Sequence, residues 1–199
     1  MKNVVVLGAS GRTGVYILRR LSKIDGICVT AFDIKSETEL QRTYPDFKFI
    51  TGDVNNRELL SECINDGDIV IASLEGEVLP MAQSVSDACR NKNAGHIIWL
   101  TGMGIHGEIK GVRKIRLDRF VKMFPDYIKA ADTVAECGIS YTLLRCPDIH
   151  DGENSQYCLT DEGEQPRNKN VERSAIAEFI ADAVSGKINV KNRSIAITN

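Results

Sequence analysis

The stretch that decides the fold lies at the amino terminus, where residues 3–14 read NVVVLGASGRTG. A short apolar run is followed at once by Gly8, Gly11 and Gly14, and residues 13–24 then show helical periodicity. A strand, a glycine-rich turn and a helix in this order are typical of the start of a βαβ unit. The first glycine allows a sharp turn, the second lets backbone approach a pyrophosphate, and the third lets helix and strand pack closely.

This turn is a candidate dinucleotide-binding site. The helix that follows it offers unpaired amides and the positive end of its dipole to phosphate groups. The alternative interpretation is a purely structural tight turn. The candidate cofactor-binding residues of the turn are Gly8, Ser10, Gly11, Arg12, Thr13 and Gly14.

Short apolar runs rich in Val and Ile alternate with helical periodicity along the whole chain. Because most of these runs are apolar throughout, they predict strands covered by helices on both faces. The predicted fold is therefore α/β: one domain spanning residues 1–199, with a Rossmann-type doubly wound, mainly parallel sheet. The predicted strands are Asn3–Leu7, Ile27–Phe32, Phe47–Thr51, Asp68–Ser73, His96–Thr101, Tyr141–Arg145 and Ser194–Thr198, and the predicted helices are Thr13–Ile24, Asn56–Ile64, Val78–Asn91, Asp126–Cys137 and Ser174–Val184.

Composition excludes several other classes of protein. With 199 residues, of which 43% are hydrophobic and 26% charged, the chain is long enough for a single core and is not a disordered or fibrous polymer. A net charge of −2 argues against a nucleic-acid or membrane-surface partner. The six cysteines are scattered singly, which predicts no metal site, and neither a secretory signal nor a membrane span is apparent. We therefore expect a cytoplasmic protein, either a monomer or a homodimer.

The second predicted strand is followed by an acidic residue, Asp33, nineteen positions beyond Gly14. A carboxylate there can accept hydrogen bonds from the adenosine ribose and repels the extra phosphate of NADP, which favours NAD(H) over NADP(H). Arg12 and Lys35 are nearby cations that can neutralise that phosphate, so NADP(H) stays open. The alternative role for Asp33 is to cap a helix over Ser36–Gln41.

Two further motifs accompany the GxxGxxG turn: TGDV at residues 51–54 and YTLLRCP at residues 141–147. Together they resemble the atypical short-chain dehydrogenase/reductases, and most of all the NAD(P)H-binding, NmrA-like group that includes the biliverdin IXβ/flavin reductases. The resemblance implies that Asp53 reaches the adenine amino group and that Val54 packs on the adenine ring. It also implies that Ser73 lies near the nicotinamide ribose and that Arg145 and Pro147 back the nicotinamide.

The chain departs from this family at the expected proton donor. Short-chain dehydrogenases pair a Ser or Thr after the fifth strand with a Tyr, and with a Lys four residues later that lowers the tyrosine pKa. Thr101 and Tyr127 are the candidate catalytic residues, but Ala131 stands where the lysine belongs. Lys129 falls on a different helical face, because side chains on one face are three or four residues apart.

This loss favours one type of chemistry. Interconversion of an alcohol and a ketone needs a positioned acid or base, whereas hydride addition to a flavin, quinone or linear tetrapyrrole can take its proton from solvent. The sequence predicts an NAD(P)H-dependent reductase of such a conjugated small molecule. The alternatives are a non-catalytic NmrA-like redox sensor that acts through a protein partner, and a sugar-nucleotide epimerase or dehydratase.

Two irregular segments, 102–111 and 148–170, follow predicted strand ends and are candidate substrate-side loops. A basic stretch follows the first of these segments. It indicates either that the small-molecule acceptor is anionic or that this is an ordinary helix face exposed to solvent. His106 and His150 fall in these loops, and we expect a non-catalytic role for both. The basic residues are Lys110, Arg113, Lys114, Arg116, Arg119 and Lys122.

Overall fold

The computed structural model describes residues 1–36, 38–106 and 125–199, and in these ranges the chain forms ten strands and six helices. The strands are β1 (Lys2–Leu7), β2 (Ile27–Asp33), β3 (Lys48–Thr51), β4 (Ile69–Ala72), β5 (His96–Gly102), β6 (Tyr141–Cys146), β7 (Asp148–His150), β8 (Cys158–Asp161), β9 (Asn170–Glu172) and β10 (Arg193–Thr198). The helices are α1 (Arg12–Leu21), α2 (Thr38–Thr43), α3 (Arg57–Cys63), α4 (Val78–Asn91), α5 (Asp126–Ala135) and α6 (Arg173–Ser185).

Eight strands form one sheet in the order β3-β2-β1-β4-β5-β6-β10-β8. Neighbouring strands run parallel except β8, which pairs with β10 in the antiparallel direction. The strand order reverses between β1 and β4, and ligands of open α/β sheets bind outside the carboxyl ends of the strands at such a switch point. The strand order and the parallel pairing confirm the predicted doubly wound, mainly parallel sheet.

The sheet is buried on both faces, as the apolar strands predict. On one face Trp99 and Leu143 pack with α3, α4 and α5. On the other face Ile98 and Leu144 pack with α1 and α6, whose Ile17 and Phe179 are fully buried. Because successive strand residues point to opposite faces, central strands such as β4 and β5 contribute apolar side chains to both cores.

Several helix boundaries differ from the prediction. Helix α1 ends at Leu21 rather than Ile24. Helix α3 begins one residue later than predicted, because the side chain of Asn56 accepts a hydrogen bond from the Leu59 amide at 3.2 Å and is therefore its cap. Helix α6 begins at Arg173 and ends before Gly186, whose φ of +79° is the left-handed conformation common after helices.

The segment 148–170 is more regular than its polar sequence indicates. Strand β8 lies within it and extends the main sheet, while β7 pairs with β9 in a separate two-stranded parallel sheet. The segment predicted to be an irregular loop therefore contains short strands. Short, polar edge strands carry weak periodicity, which explains why the sequence pattern missed them. Within the described ranges, no helix is long and apolar enough to cross a membrane.

Candidate nucleotide-binding site and adjoining cleft

The turn after β1 is built around Gly8. Its φ is +78°, and a Cβ atom there would lie 2.2 Å from the Ser73 carbonyl oxygen at the end of β4. The amides of Gly8 and Ala9 both donate to the Phe32 carbonyl of β2, at 3.0 and 3.3 Å. Only glycine allows this approach, so the turn is fixed against the two neighbouring strands.

The other two glycines bring helix α1 onto the turn. A Cβ atom at Gly14 would lie 2.2 Å from the Gly8 carbonyl oxygen, so the helix packs directly on the turn backbone. Gly11 caps α1 without a side-chain hydrogen bond, and the first turn of the helix holds no acidic residue. The positive end of the helix dipole is therefore uncompensated beside an exposed glycine, an arrangement that fits a dinucleotide pyrophosphate.

Asp33 joins the end of β2 to the same turn. Its carboxylate accepts hydrogen bonds from the Ser10 amide at 2.8 Å and from the Lys35 amide at 3.3 Å. Among the described residues, both of these amides precede α2. The carboxylate therefore holds the turn against the end of β2, and its role as a ribose ligand stays a prediction.

The adenine-side candidates lie farther along this edge. Asp53 is exposed, and its carboxylate accepts a hydrogen bond from the Asn55 amide at 2.8 Å. Val54 is only 6% exposed and belongs to the core that α3 and α4 cover. Ile34, which directly follows Asp33, is 65% exposed. An exposed aliphatic side chain beside Asp33 is a further candidate wall for a flat, apolar ring.

A cleft of about 720 Å³ opens at the carboxyl ends of β4, β5 and β6. It brings together six of the residues singled out from the sequence: Arg12, Thr13, Ser73, Thr101, Tyr127 and Pro147. The remaining candidates of the turn, and those on the adenine side, do not line this cleft. The cleft therefore extends from the start of α1 to the position expected for a nicotinamide and its acceptor.

The candidate catalytic residues differ in their surroundings. Thr101 is 6% exposed, and in the described part of the chain its hydroxyl has no hydrogen-bond partner. Tyr127 is half-buried at the start of α5 and faces the cleft. Lys129 forms an ion pair with Asp126 at 3.7 Å. The lysine that would activate a tyrosine is thus absent from its family position, and the nearest lysine in sequence is paired with another residue.

Arg145 is placed differently from its neighbour Pro147. It is fully buried, and its guanidinium donates to the backbone carbonyls of Ser194 at 3.3 Å and Thr160 at 3.5 Å. These contacts join β6 to β10 and β8, and Arg145 does not line the cleft. Cys146, between the two, does line it, and complete burial raises the pKa of its thiol to about 12. This thiol is therefore protonated at neutral pH.

None of the three histidines lines the cleft. His106 lies 2.9 Å from the Ser194 hydroxyl, and His150 lies 3.9 Å from Glu172. At the opposite end of the sheet, His96 sits between the hydroxyls of Ser140 and Thr142, and burial lowers its pKa to about 4. Within the described ranges, no group of His, Cys, Asp or Glu side chains is placed to hold a metal ion.

Two cationic cleft residues were missed by the sequence interpretation, Lys169 and Arg173. Arg173 is 4% exposed, although arginine is rarely buried, and nothing in its local sequence marks it. The basic stretch from Lys110 to Lys122, and the part of the 102–111 loop beyond His106, lie outside the described residues.

The family model described as NAD(P)H-binding matches residues 8–187 of this chain. Among solved structures, a Rossmann-fold NAD(P)-binding family protein from Shigella flexneri is 26% identical, with a TM-score of 0.78 over 100% of this chain and 94% of that one. A short-chain dehydrogenase/reductase from Veillonella parvula, solved in complex with NADP, is 21% identical, with a TM-score of 0.82 over 100% and 94% of the two chains. ChuY, an anaerobillin reductase from Escherichia coli O157:H7, is 14% identical, with a TM-score of 0.78 over 99% and 97%.

No curated protein sequence matches the chain. The last two likenesses show the fold alone, whereas the family model covers the turn, the cleft and most of the sheet. Together they agree with the resemblance drawn from the GxxGxxG turn, TGDV and YTLLRCP. The chain belongs to the NAD(P)H-binding family and has a Rossmann fold.

Proposed function

We propose that the protein is an NAD(P)H-dependent reductase of a conjugated small molecule, such as a flavin, a quinone or a linear tetrapyrrole. One observation carries the proposal: the cleft joins the dinucleotide-binding turn to Thr101 and Tyr127, and Ala131 stands four residues after that tyrosine, where the family has its lysine. A hydride-transfer site without the lysine at this position suits an acceptor whose reduced form takes its proton from water.

The residues of the chain would bind and orient the reactants. A reduced nicotinamide bound in the cleft supplies the hydride. The start of α1 and Arg12 would hold the pyrophosphate, and Ser73 and Pro147 would flank the nicotinamide end. Thr101 lines the cleft, and its buried hydroxyl has no hydrogen-bond partner among the described residues, so it is suited to fix one polar group of a bound ring. Such positioning alone can lower a reaction barrier substantially.

We infer that NAD(H) is preferred over NADP(H). The carboxylate of Asp33 is held at the end of β2 by the Ser10 and Lys35 amides, and Ile34 beside it is apolar. An added 2′-phosphate would approach this negative charge, and the two nearby cations, Arg12 and Lys35, are exposed to solvent, where an ion pair gains little. Arg12 faces the cleft and lies 3.8 Å from Glu75, which directs its charge away from β2.

We also place the protein in the cytoplasm. The support is that all six cysteines are free thiols, including the exposed Cys28 and Cys158. Exposed free thiols are typical of a reducing compartment.

The proposed reaction is tested by following NADH and NADPH oxidation with riboflavin, menadione and biliverdin as acceptors. We expect sustained turnover with at least one of them. Gly11→Val is the matched control, because a side chain at this exposed turn position would block the pyrophosphate. Its φ of −64° suits any residue, and the 3.1 Å between a Cβ and the Gly8 carbonyl oxygen requires only a small shift, which circular dichroism of the variant checks. Tight cofactor binding without oxidation by any acceptor would eliminate the reductase and favour a redox sensor.

Cofactor choice is tested by Asp33→Ala. Loss of the carboxylate removes both a ribose ligand and the repulsion of a 2′-phosphate, so the ratio of NADH to NADPH affinity should fall by about tenfold or more. Calorimetric titration with both cofactors measures it, with Asp53→Ala as the control that should change both affinities alike. An unaltered ratio in Asp33→Ala would show that this account of cofactor choice is wrong.

A further inference from the structure

One wall of the cleft belongs to a small sheet of its own. Strands β7 and β9 pair in a two-stranded sheet that is separate from the eight-stranded one. Asp148 and Ile149 of β7 line the cleft, as do Lys169 and Arg173 on either side of β9, and we call these four residues the outer wall. Two strands of three residues each are marginal by themselves, so contacts with the rest of the fold must hold the outer wall in place.

Asn199 connects this small sheet to the main one. It directly follows β10, and its backbone amide donates to the Asn170 carbonyl at the start of β9, at 3.3 Å. Its side-chain oxygen accepts a hydrogen bond from the amide of Glu172, at the end of β9. Its backbone oxygen also accepts a hydrogen bond from the Asn168 side chain, just before the strand. One residue of the main sheet therefore holds β9 at both of its ends.

The side-chain nitrogen of Asn199 holds a second segment, the one that follows β7. It donates to the Gln156 carbonyl at 2.7 Å and to the Asn154 carbonyl at 3.2 Å. Because a side-chain amide has two N–H donors and one acceptor oxygen, all of its hydrogen-bonding groups are used here. Most of residues 151–156 are exposed, so few apolar contacts fix this segment. The Glu172 carboxylate ties it to β9 as well, by accepting the Asn154 amide at 2.8 Å.

We propose that Asn199 is a positioning residue for the acceptor, because it docks the outer wall against the main sheet, whose Thr101 and Pro147 line the same cleft. The proposal rests on the reductase function and adds to it a residue outside the cleft lining. A ligand that needs contacts from both sheets binds only while the outer wall is docked, so its dissociation constant rises as the docked fraction falls. The pyrophosphate turn is built from contacts with β2 and β4, so cofactor affinity should not depend on Asn199.

The test compares the two asparagines that flank β10. Asn199→Ala removes the side-chain bonds at the carboxyl end. Asn192→Ala, the matched control, removes the bond from the Tyr141 amide at the amino end and strains a residue whose φ is +55°. Each protein, saturated with oxidised cofactor, is titrated calorimetrically with riboflavin, menadione and biliverdin. Asn199→Ala should raise the acceptor dissociation constant about tenfold and leave cofactor affinity unchanged, whereas Asn192→Ala should lower stability in urea and change neither affinity.

Asn199→Asp separates the two contacts of the side chain and serves if Asn199→Ala does not fold. Aspartate keeps an oxygen for the Glu172 amide but has no donor for the Asn154 and Gln156 carbonyls. The Glu172 amide should therefore stay protected from hydrogen exchange in Asn199→Asp and lose protection in Asn199→Ala, a readout that needs no ligand. We expect both variants to weaken acceptor binding and to retain cofactor affinity.

Unchanged acceptor binding in both Asn199 variants, or an equal loss in Asn192→Ala, would make Asn199 a residue of stability alone and overturn the proposal. A parent protein that binds an acceptor without oxidising NADH or NADPH would eliminate the reductase but not the positioning role, whereas a parent that binds none of the three acceptors would overturn both. Where turnover occurs, Asn199→Ala should raise KM about tenfold and change kcat by no more than about twofold, because the docked complex is the same.

Discussion

The two ends of the central sheet differ in whether their buried polar groups have hydrogen-bond partners. At the amino end, His96 lies between the hydroxyls of Ser140 and Thr142, at 3.0 and 2.8 Å, and the Thr142 hydroxyl also donates to the Val190 carbonyl. At the carboxyl end, the Thr101 hydroxyl and the Arg173 Nε are buried in the cleft wall without described partners.

This difference indicates what each end of the sheet contributes to the protein. A buried polar group that the protein satisfies itself stabilises one arrangement of strands, whereas a group left open stabilises a complex with a ligand. Asp68 is an intermediate case at the amino end, since one of its carboxylate oxygens accepts the Asn65 amide and the other has no described partner. The amino end therefore satisfies most of its described buried polar groups within the protein, whereas the carboxyl end leaves two in the cleft wall without described partners, as is expected of a binding site.

The strongest test of the carboxyl end is Gly8→Ala. Alanine is strained at a φ of +78°, and its Cβ would lie 2.2 Å from the Ser73 carbonyl, so we expect a loss of about 4 kcal/mol in unfolding free energy. Gly26→Ala is the matched control, because Gly26 has a φ of +76° but nothing within 4 Å of a Cβ atom. It should cost about 1 to 2 kcal/mol. Equal losses in urea unfolding would mean that the contact with β4 is unimportant.

The amino end is tested by pH. The pKa of His96 in the folded protein is about 4, below its ordinary value of 6.5, chiefly because of burial. The unfolded chain therefore takes up a proton that the folded chain refuses, and stability should fall as pH decreases from 6.5 to 4, by about 3 kcal/mol in all. Nearby Lys191 acts in the same direction.

His96→Gln should flatten this dependence, because glutamine can bond both hydroxyls without titrating. Unfolding free energies measured between pH 4 and 7 provide the comparison, with His150→Gln, whose side chain is 47% exposed, as the control. If the parent and His96→Gln lose stability equally over this range, the buried imidazole is not the cause.

Sequence reasoning succeeded where the determining contacts are local. The glycine turn occupies seven consecutive residues, and the spacing of its three glycines predicts the backbone conformation of the turn. In the same way, a strand that is apolar throughout indicates that both of its faces are buried. Asp33 was predicted at the end of β2, but its bond to the Ser10 amide joins residues 23 positions apart and depends on how β1 and β2 pair. The adenine-side and nicotinamide-side assignments stay predictions.

The position of Arg173 in the wall of the cleft could not be predicted in the same way. Arg173 reaches the cleft because β9 pairs with β7 and α6 packs beside α1, and both contacts join distant parts of the chain. Strands β7 and β9 have three residues each, too few for a period to be recognised. A charged residue that ends up buried leaves no local signal, since most arginines are exposed.

The smallest expected effect distinguishes two polar groups of the cleft. If protons come from solvent, Tyr127→Phe should change kcat by no more than about twofold, whereas loss of a true general acid costs about a hundredfold or more. Thr101→Val is the matched comparison, because it keeps the shape of a buried side chain and removes only the open hydroxyl. We expect it to lower kcat/KM by about tenfold, which is the value of one hydrogen bond to a bound ring.

Steady-state rates with the same acceptor and cofactor measure both variants. A large loss in Tyr127→Phe would show that this tyrosine works without the lysine, and the chemistry would then extend to isolated carbonyl groups. Equal rates for Thr101→Val and the parent would mean that the unpaired hydroxyl is a feature of packing alone. The contrast between the two ends of the sheet would then rest on the buried Nε of Arg173 alone, which has no partner among the described residues.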